Sequence, residues 1–300
     1  MKLADYQPDP RKPRLSAVFL ILFAAVTAMS QNVPCKFDPS TLQFVGTPVE
    51  QARCLLRPNG KGGVLGEELK RLPDPLEKLI GKTFAVKMPK LRRYLSDKTI
   101  TEDEIGGEMH LPLATAVLPD GSELTALYFV IHDTSSPYLA DADFPADLNS
   151  DPKNKANAIS IWTSQPVAHV FVNRLGASLT TTPFDEPVRK GYGTKFARDF
   201  LKADAKGLQI HVELVQPRRR DPADKNPKND LIAPVPGFTD AQYARLALLY
   251  LAASGRRGTW MIPGYHSAFD AGIKDAHDDP QNFDLRKFAD VLARLLKDVG

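Results

Sequence analysis

Segments that favour strands alternate with segments that favour helices from residue 105 to the C-terminus. The strand segments are rich in β-branched and aromatic residues, and the turn sequence PDGS at 119–122 separates the first two. The first helical segment has the capping pattern of Thr239 and Gln242, followed by an apolar stripe that includes Leu246. The predicted strands are 109–117, 124–132, 167–173 and 208–215, and the predicted helices are 239–254 and 284–298.

This alternation predicts an α/β (α+β) domain in which helices flank a mixed central β-sheet. We place this domain at 101–300. The preceding residues, 29–100, contain a Gly-rich turn at 59–63 and an amphipathic stretch at 65–79 that prolines interrupt. They hold no catalytic constellation, and we predict that they form a small N-terminal module.

The first 28 residues have the pattern of a secretory signal peptide. Basic residues, among them Arg11 and Arg14, precede an uncharged apolar stretch at 15–29, and Val26-Thr27-Ala28 is a small-x-small cleavage pattern. The alternative is an uncleaved anchor, but the apolar run is shorter than the roughly 20 residues that span a bilayer. We therefore expect an exported protein, periplasmic or secreted, without a stable membrane span after cleavage.

Cys35 and Cys54 are the only cysteines, and both lie in the predicted N-terminal module. In an exported chain, such a pair is typical of a disulfide that closes a short loop. The alternative is two free thiols or a soft-metal site, although neither a third cysteine nor a nearby histidine supports a metal site. We predict a Cys35–Cys54 disulfide.

Charge and missing motifs exclude several classes of function. Lys and Arg total 39 and Asp and Glu total 36, which leaves a net charge of +3, so nothing favours a nucleic-acid partner. The only basic run, 218–220, is typical of a solvated loop. The chain has no phosphate-binding glycine loop and no Gly-x-Ser-x-Gly nucleophile elbow, which disfavours covalent nucleophilic catalysis.

Two of the six histidines follow apolar segments at points where ligands are often placed. His132 ends the apolar run at 127–131 and precedes a polar loop, and His266 follows a second apolar segment and a turn. Asp279 comes thirteen residues after His266. Two histidines and one carboxylate, with a coordination position left open, are a common catalytic zinc set.

Five short segments occur in an order that is typical of one enzyme family. They are YFVIHDTSSP at 128–137, AHVFVNRLG at 168–176, IHVEL at 210–214, FTDAQY at 238–243, and GYHS at 264–267 with DP at 279–280. Together they resemble the zinc-dependent N-acetylmuramoyl-L-alanine amidases, the type-2 amidases related to peptidoglycan recognition proteins and to the phage T7 lysozyme. The resemblance covers about 125 to 290.

The resemblance implies a role for each matching residue. His132, His266 and Asp279 would bind Zn²⁺, and Glu213 would handle protons. The alternative for Glu213 is an ordinary surface carboxylate. Many family members carry a lysine two residues before the liganding aspartate, whereas this chain has His277. We expect His277 to stabilise the oxyanion; alternatively, it is the third ligand and Asp279 lies behind it.

The resemblance implies a zinc hydrolase that cleaves the amide between N-acetylmuramic acid and L-alanine in peptidoglycan or muropeptides, and the signal pattern at 1–28 indicates that it is exported. One alternative is a non-catalytic peptidoglycan-binding protein of the same fold. Another is a zinc amidase that acts on a different amide. Two long loops, at 140–159 and 216–236, flank the expected site in the sequence and would shape a substrate groove.

Overall fold

A computed structural model of the chain describes residues 34–60, 63–201, 203–224 and 231–300. The predicted signal peptide at 1–28 lies outside these residues. In the part of the chain that is described, no helix combines the length and the apolar character needed to cross a membrane.

The described residues form eleven short strands and six α-helices. The strands are β1 (Phe37–Asp38), β2 (Gln43–Phe44), β3 (Thr115–Val117), β4 (Glu123–Thr125), β5 (Tyr128–Asp133), β6 (Val170–Val172), β7 (Ser178–Thr180), β8 (Gln209–Leu214), β9 (Arg219–Arg220), β10 (Leu231–Ile232) and β11 (Ile262–Tyr265). The α-helices are α1 (Pro48–Leu55), α2 (Asp74–Leu79), α3 (Met88–Asp97), α4 (Asp240–Arg257), α5 (His266–Phe269) and α6 (Leu285–Val299). Short 3-10 turns are Glu102–Ile105, Lys155–Asn157, Ile159–Ser164 and Ala203–Leu208, and Ala197–Leu201 is a π-helical turn.

The central sheet has five strands in the order β11-β5-β8-β6-β7. Strands β11, β5, β8 and β6 run parallel to one another, and β7 pairs antiparallel with β6. Helices pack against this sheet, so the expected mixed central sheet with flanking helices is confirmed. The order places β5 and β8, which carry His132 and Glu213, beside each other in the interior of the sheet.

The two faces of β5 contact different layers. The ring of Phe129 lies 5.3 Å from that of Tyr250 on α4. The ring of Tyr128 lies 5.5 Å from Phe44 and 5.6 Å from Phe269 on the opposite face. Because alternate residues of a strand point to opposite faces, His132 shares the face of Tyr128 and points away from α4.

Helix α4 forms where the capping pattern predicts it. The Thr239 hydroxyl accepts the backbone N–H of Gln242, and the Gln242 side chain accepts the backbone N–H of Thr239. The helix ends at Gly258, whose φ of 80° suits a residue without a Cβ atom. Helix α6 packs beside it, with the ring of Phe288 5.9 Å from that of Tyr250.

The predicted strand at 124–132 is two strands, β4 and β5. Strand β4 pairs with β3 in a separate two-stranded hairpin, whose turn at 119–122 is as predicted. Between them, Ala126 donates its backbone N–H to Ala114, and Leu127 donates its backbone N–H to Leu208. The chain therefore passes from the hairpin to the central sheet at these two residues, which apolar periodicity alone does not reveal.

The described residues before 101 contact the central sheet and the segment that leads into it. The Tyr128 hydroxyl donates to Gln51 Oε1 at 2.8 Å and accepts the backbone N–H of Phe44 at 2.8 Å. Residues 81–84 exchange backbone hydrogen bonds with residues 258–260, which lead into β11. The predicted Cys35–Cys54 disulfide is present. The division of the chain at residue 100 stays a prediction.

Candidate metal centre

The sheet topology collects the candidate residues at one edge. His132 lies near the carboxyl end of β5 and is in register with Glu213 on the adjacent parallel strand β8. His266 is the first residue of α5, directly after β11, which is parallel to β5 on the other side. Because parallel strands end at the same edge, the three side chains meet there. Asp279 joins them from the loop before α6, where its carbonyl accepts the backbone N–H of Ser267.

His132, His266 and Asp279 are buried and each offers one ligand atom, and these atoms lie within 4.8 Å of one another. The Nδ1 atoms of His132 and His266 are 2.9 Å apart. Asp279 Oδ1 lies 3.0 Å from His266 Nδ1, and Asp279 Oδ2 lies 3.6 Å from His132 Nδ1. Two imidazole nitrogens and one carboxylate oxygen converge on one point, so the donor set fits a metal ion of the zinc type.

Burial and the neighbouring charges shift the pKa values of these three residues in different directions. Burial, followed by the charge of His266, lowers the pKa of His132 to about 4. Burial opposes ionisation of Asp279, but His266 and the hydrogen bonds around it hold the pKa of this carboxyl well below its ordinary value. The pKa of His266 lies well above its ordinary value, because Asp279 and Asp270 outweigh burial. Metal binding would therefore displace a proton from His266.

Asp270 orients His266 from behind. Its Oδ2 lies 3.0 Å from His266 Nε2, the ring nitrogen that faces away from Asp279. The same carboxylate accepts the backbone N–H groups of Lys195 and Phe196, at 3.2 and 2.8 Å. A carboxylate behind a liganding histidine fixes the ring and makes it more basic. Asp270 was not among the predicted site residues, although its position four residues after His266 was a usable signal.

Glu213 lies at the edge of the candidate metal-binding group formed by His132, His266 and Asp279. Its Oε1 is 3.9 Å from His132 Nδ1, its side chain is 14% exposed, and its Oε2 is buried without a hydrogen-bond partner among the described residues. Burial, with the charge of Asp279, raises the pKa of Glu213 well above its ordinary value. A largely buried carboxyl group of this kind differs from an ordinary surface carboxylate, and the proton-transfer role of Glu213 stays a prediction.

His277 lies at the entrance of the site. Its side chain is 56% exposed, and its Nδ1 is 3.6 Å from Asp279 Oδ1. Its ring centroid is 4.5 Å from that of His266. Among the residues described, the group whose ligand atoms converge is His132, His266 and Asp279, without His277. Its predicted role at the oxyanion stays a prediction.

A cavity of about 470 Å³ opens in front of these residues. Glu213, His266 and His277 line one side, and the segment 190–195 lines another. Gly191 and Gly193 in this segment have φ of 71° and 76°, which favours glycine. This segment was not among the predicted site residues, although the KGYGT sequence at 190–194 has the glycines of an irregular loop. Within the described ranges, the loops at 140–159 and 216–236 do not line this cavity.

Arg218 links the two chain segments that carry His132 and Asp279. Its guanidinium is 2.6 Å from Asp133 Oδ2 and 3.5 Å from Asp278 Oδ2, and its side chain is 1% exposed. Asp133 also accepts the backbone N–H of Gln281, and its own backbone N–H donates to Asp279. The expectation of a solvated basic loop is therefore wrong for Arg218. Its partners, Asp133 and Asp278, lie far away in the sequence, which is why the basic run did not reveal it.

The comparisons with known proteins give one structural similarity. No protein-family model matches the chain, and no curated protein matches it. A solved structure described as the crystal structure of a selenomethionine AmpD derivative aligns with 63% of this chain and 97% of its own, with 17% sequence identity and a TM-score of 0.34.

Proposed function

We propose that this protein is an exported zinc-dependent hydrolase that cleaves the amide between N-acetylmuramic acid and L-alanine in peptidoglycan or muropeptides. The observation that carries the proposal is the buried, unpartnered Oε2 of Glu213 beside the convergent ligand atoms of His132, His266 and Asp279. The substrate is proposed from the five sequence segments that resemble the amidase family. Export is proposed from the pattern of residues 1–28.

Zn²⁺ held by His132, His266 and Asp279 would polarise the carbonyl of the scissile amide and lower the pKa of a water molecule. The charge of the bound ion would favour the ionised form of Glu213. Glu213 would then accept the proton of the attacking water and deliver it to the nitrogen of the leaving L-alanine. Its side chain lines the cavity, so both transfers occur where the substrate can reach. His277 would donate a hydrogen bond to the oxygen that becomes negatively charged.

The first test compares zinc content and released products for the mature wild type, Glu213→Gln and His266→Ala. We expect about one zinc ion per wild-type chain and peptides with a free N-terminal L-alanine. Glu213→Gln should keep the metal and lose turnover by about 10²–10⁴-fold, because its amide cannot accept a proton. His266→Ala should lose both metal and turnover.

Glu123→Gln is the matched control, because Glu123 is an exposed residue of the β3–β4 hairpin and should change neither property. A wild type that binds peptidoglycan but releases no peptide would identify a binding protein instead. Release of a different amine would support a zinc-dependent hydrolase but contradict the proposed substrate.

A further inference from the structure

A second histidine stands behind His132, on the side away from Asp279. His132 Nε2 lies 2.9 Å from His211 Nδ1, while His132 Nδ1 faces His266 and Asp279. His132 and His211 belong to adjacent parallel strands, and both rings are fully enclosed. The contact is therefore built into the central sheet and does not depend on a surface loop.

The chemistry of the His132 ring assigns the direction of this hydrogen bond. A liganding imidazole uses the lone pair of one nitrogen and carries its proton on the other. With Nδ1 of His132 facing the other two candidate ligands, its proton is on Nε2, which makes it the donor. His211 Nδ1 is then the acceptor, and His211 carries its own proton on Nε2.

The surroundings of His211 anchor its backbone and confine its ring. Its backbone N–H donates to His169 Nδ1 at 3.0 Å, and the Nε2 of His169 lies 3.0 Å from the carbonyl of Glu186. On the other side the ring packs against Gly193, where a Cβ atom would overlap Cε1 and Nε2 of His211. Glycine at 193 thus leaves room for an imidazole behind the metal centre.

The protonated nitrogen of His211 has no compensating contact. His211 Nε2 is buried and lacks a hydrogen-bond partner among the described residues. Leaving a buried N–H unpaired is unfavourable. A purely structural histidine gains nothing from an unpaired Nε2–H. If Nδ1 of His211 must accept a hydrogen bond from His132, however, the proton of the neutral ring has to be on Nε2.

A neutral acceptor also suits the charge of the site. Asp279, Glu213 and Asp270 already place three carboxyl groups around the two histidines. A fourth carboxylate behind His132 would add like charge in a buried region, which is costly. An imidazole provides the acceptor without that charge.

We infer that His211 is a positioning residue that holds the His132 ring with Nδ1 directed at the metal. The inference rests on the metal centre of the proposed function. The hydrogen bond between His132 Nε2 and His211 Nδ1 is expected in the metal-free protein as well. In sequence terms, it assigns a role to the residue two positions before Glu213 on the same face of β8.

The test uses His211→Asn and His211→Leu in the full mature chain. The Oδ1 of asparagine occupies the place of Nδ1 and can accept from His132, whereas leucine has a similar size and accepts nothing. Competition with a chromogenic chelator gives the dissociation constant for Zn²⁺. We expect leucine to raise it by about 10–100-fold and asparagine to keep it within about threefold of wild type.

Two further measurements separate positioning from a merely structural role. Long-range ¹⁵N spectra of the metal-free wild type at neutral pH should show the His132 proton on Nε2. The thermal midpoint of unfolding of each metal-free variant reports its stability. If the role of His211 is merely structural, His211→Leu should lower this midpoint without changing the dissociation constant for Zn²⁺.

The inference is overturned if His211→Leu binds Zn²⁺ as tightly as wild type, or if metal-free His132 carries its proton on Nδ1. If His211→Leu does not fold, the wild-type spectrum and His211→Asn decide. A wild type that binds no zinc refutes the proposed function, and the His132 spectrum then still tests the positioning on its own.

Discussion

His266 Nε2 lies 3.0 Å from Oδ2 of Asp270, which follows it by four residues in the sequence. The other ring nitrogen of His266, Nδ1, faces Asp279. His266 is therefore held between two carboxylates. We expect Asp270→Asn to weaken Zn²⁺ binding by about 10–100-fold, because a neutral amide makes the imidazole less basic. A chelator competition titration measures the change. Asp290→Asn, at an exposed position on α6, is the control, and equal affinities for the two variants would contradict the role of Asp270.

His277→Ala distinguishes the two roles considered for this residue. If the exposed imidazole donates to the oxyanion, the variant should keep its zinc and lose about 10²–10³-fold in kcat. Metal analysis and steady-state kinetics on the same preparation provide both values. Loss of the metal together with activity would instead make His277 a ligand.

Removal of Arg218 should leave Asp133 as an unpaired buried carboxyl group. Burial raises the pKa of Asp133 to about 6 even with the guanidinium beside it. We expect Arg218→Met to reduce the free energy of unfolding by about 3–5 kcal/mol. Denaturant unfolding measures this loss, and adding Asp133→Asn should recover part of it because the carboxyl group is then gone.

The neighbouring Arg220 provides the control for this prediction, since its side chain is 45% exposed. Arg220→Met should change the free energy of unfolding by no more than about 0.5 kcal/mol. Equal decreases in the free energy of unfolding for Arg218→Met and Arg220→Met would show that the buried Arg218–Asp133 pair contributes no more to stability than an exposed arginine.

The stability of the metal-free protein should depend on pH through His169. Burial lowers the pKa of this histidine to about 4, from an ordinary value of 6.5. Between these values, the unfolded chain binds a proton that the folded chain does not. The free energy of unfolding therefore falls as the pH is lowered from 6.5 to 4, by up to about 3 kcal/mol from this residue.

A comparison with His169→Asn isolates this contribution. Asparagine can still accept the backbone N–H of His211 but does not titrate. The raised pKa values of Asp133 and Glu213 act in the opposite direction, because the folded protein keeps those protons to higher pH. We therefore predict the difference between the two proteins and not the total slope: wild type should lose more stability on acidification, and parallel unfolding curves against pH would refute the assignment.

The sequence predicts the parts of the fold and site that depend on local signals. Helix α4 follows from its cap and apolar stripe. Strand β5 follows from a continuous apolar run, and strand β8 follows from the alternation of apolar residues with His211 and Glu213. Strand β11 was missed, because it has four residues and contains Pro263 and Gly264, which are unfavourable in most strands. Proline is tolerated in this strand because β11 lies at the edge of the sheet.

The candidate metal-binding residues could be picked out because they occur in short segments with a recognisable order. The residues behind it could not. His211 lies 79 residues from His132, and Arg218 lies 85 residues from Asp133, so these contacts depend on which strands become neighbours. Strand order is a property of the whole chain, and no local pattern encodes it.

The pairing of residues 81–84 with residues 258–260 has a consequence for self-association. Strand β11 is an outer strand of the central sheet, and a free outer strand can recruit strands from other molecules. The backbone groups of Gly81 and Phe84 occupy hydrogen-bonding positions of Trp260 and Gly258, where the chain enters this strand. The residues before 101 thus cover backbone groups that lead into the outer strand. We expect a shortened protein that begins at residue 101 to expose these groups a few residues from His266 and to self-associate more readily.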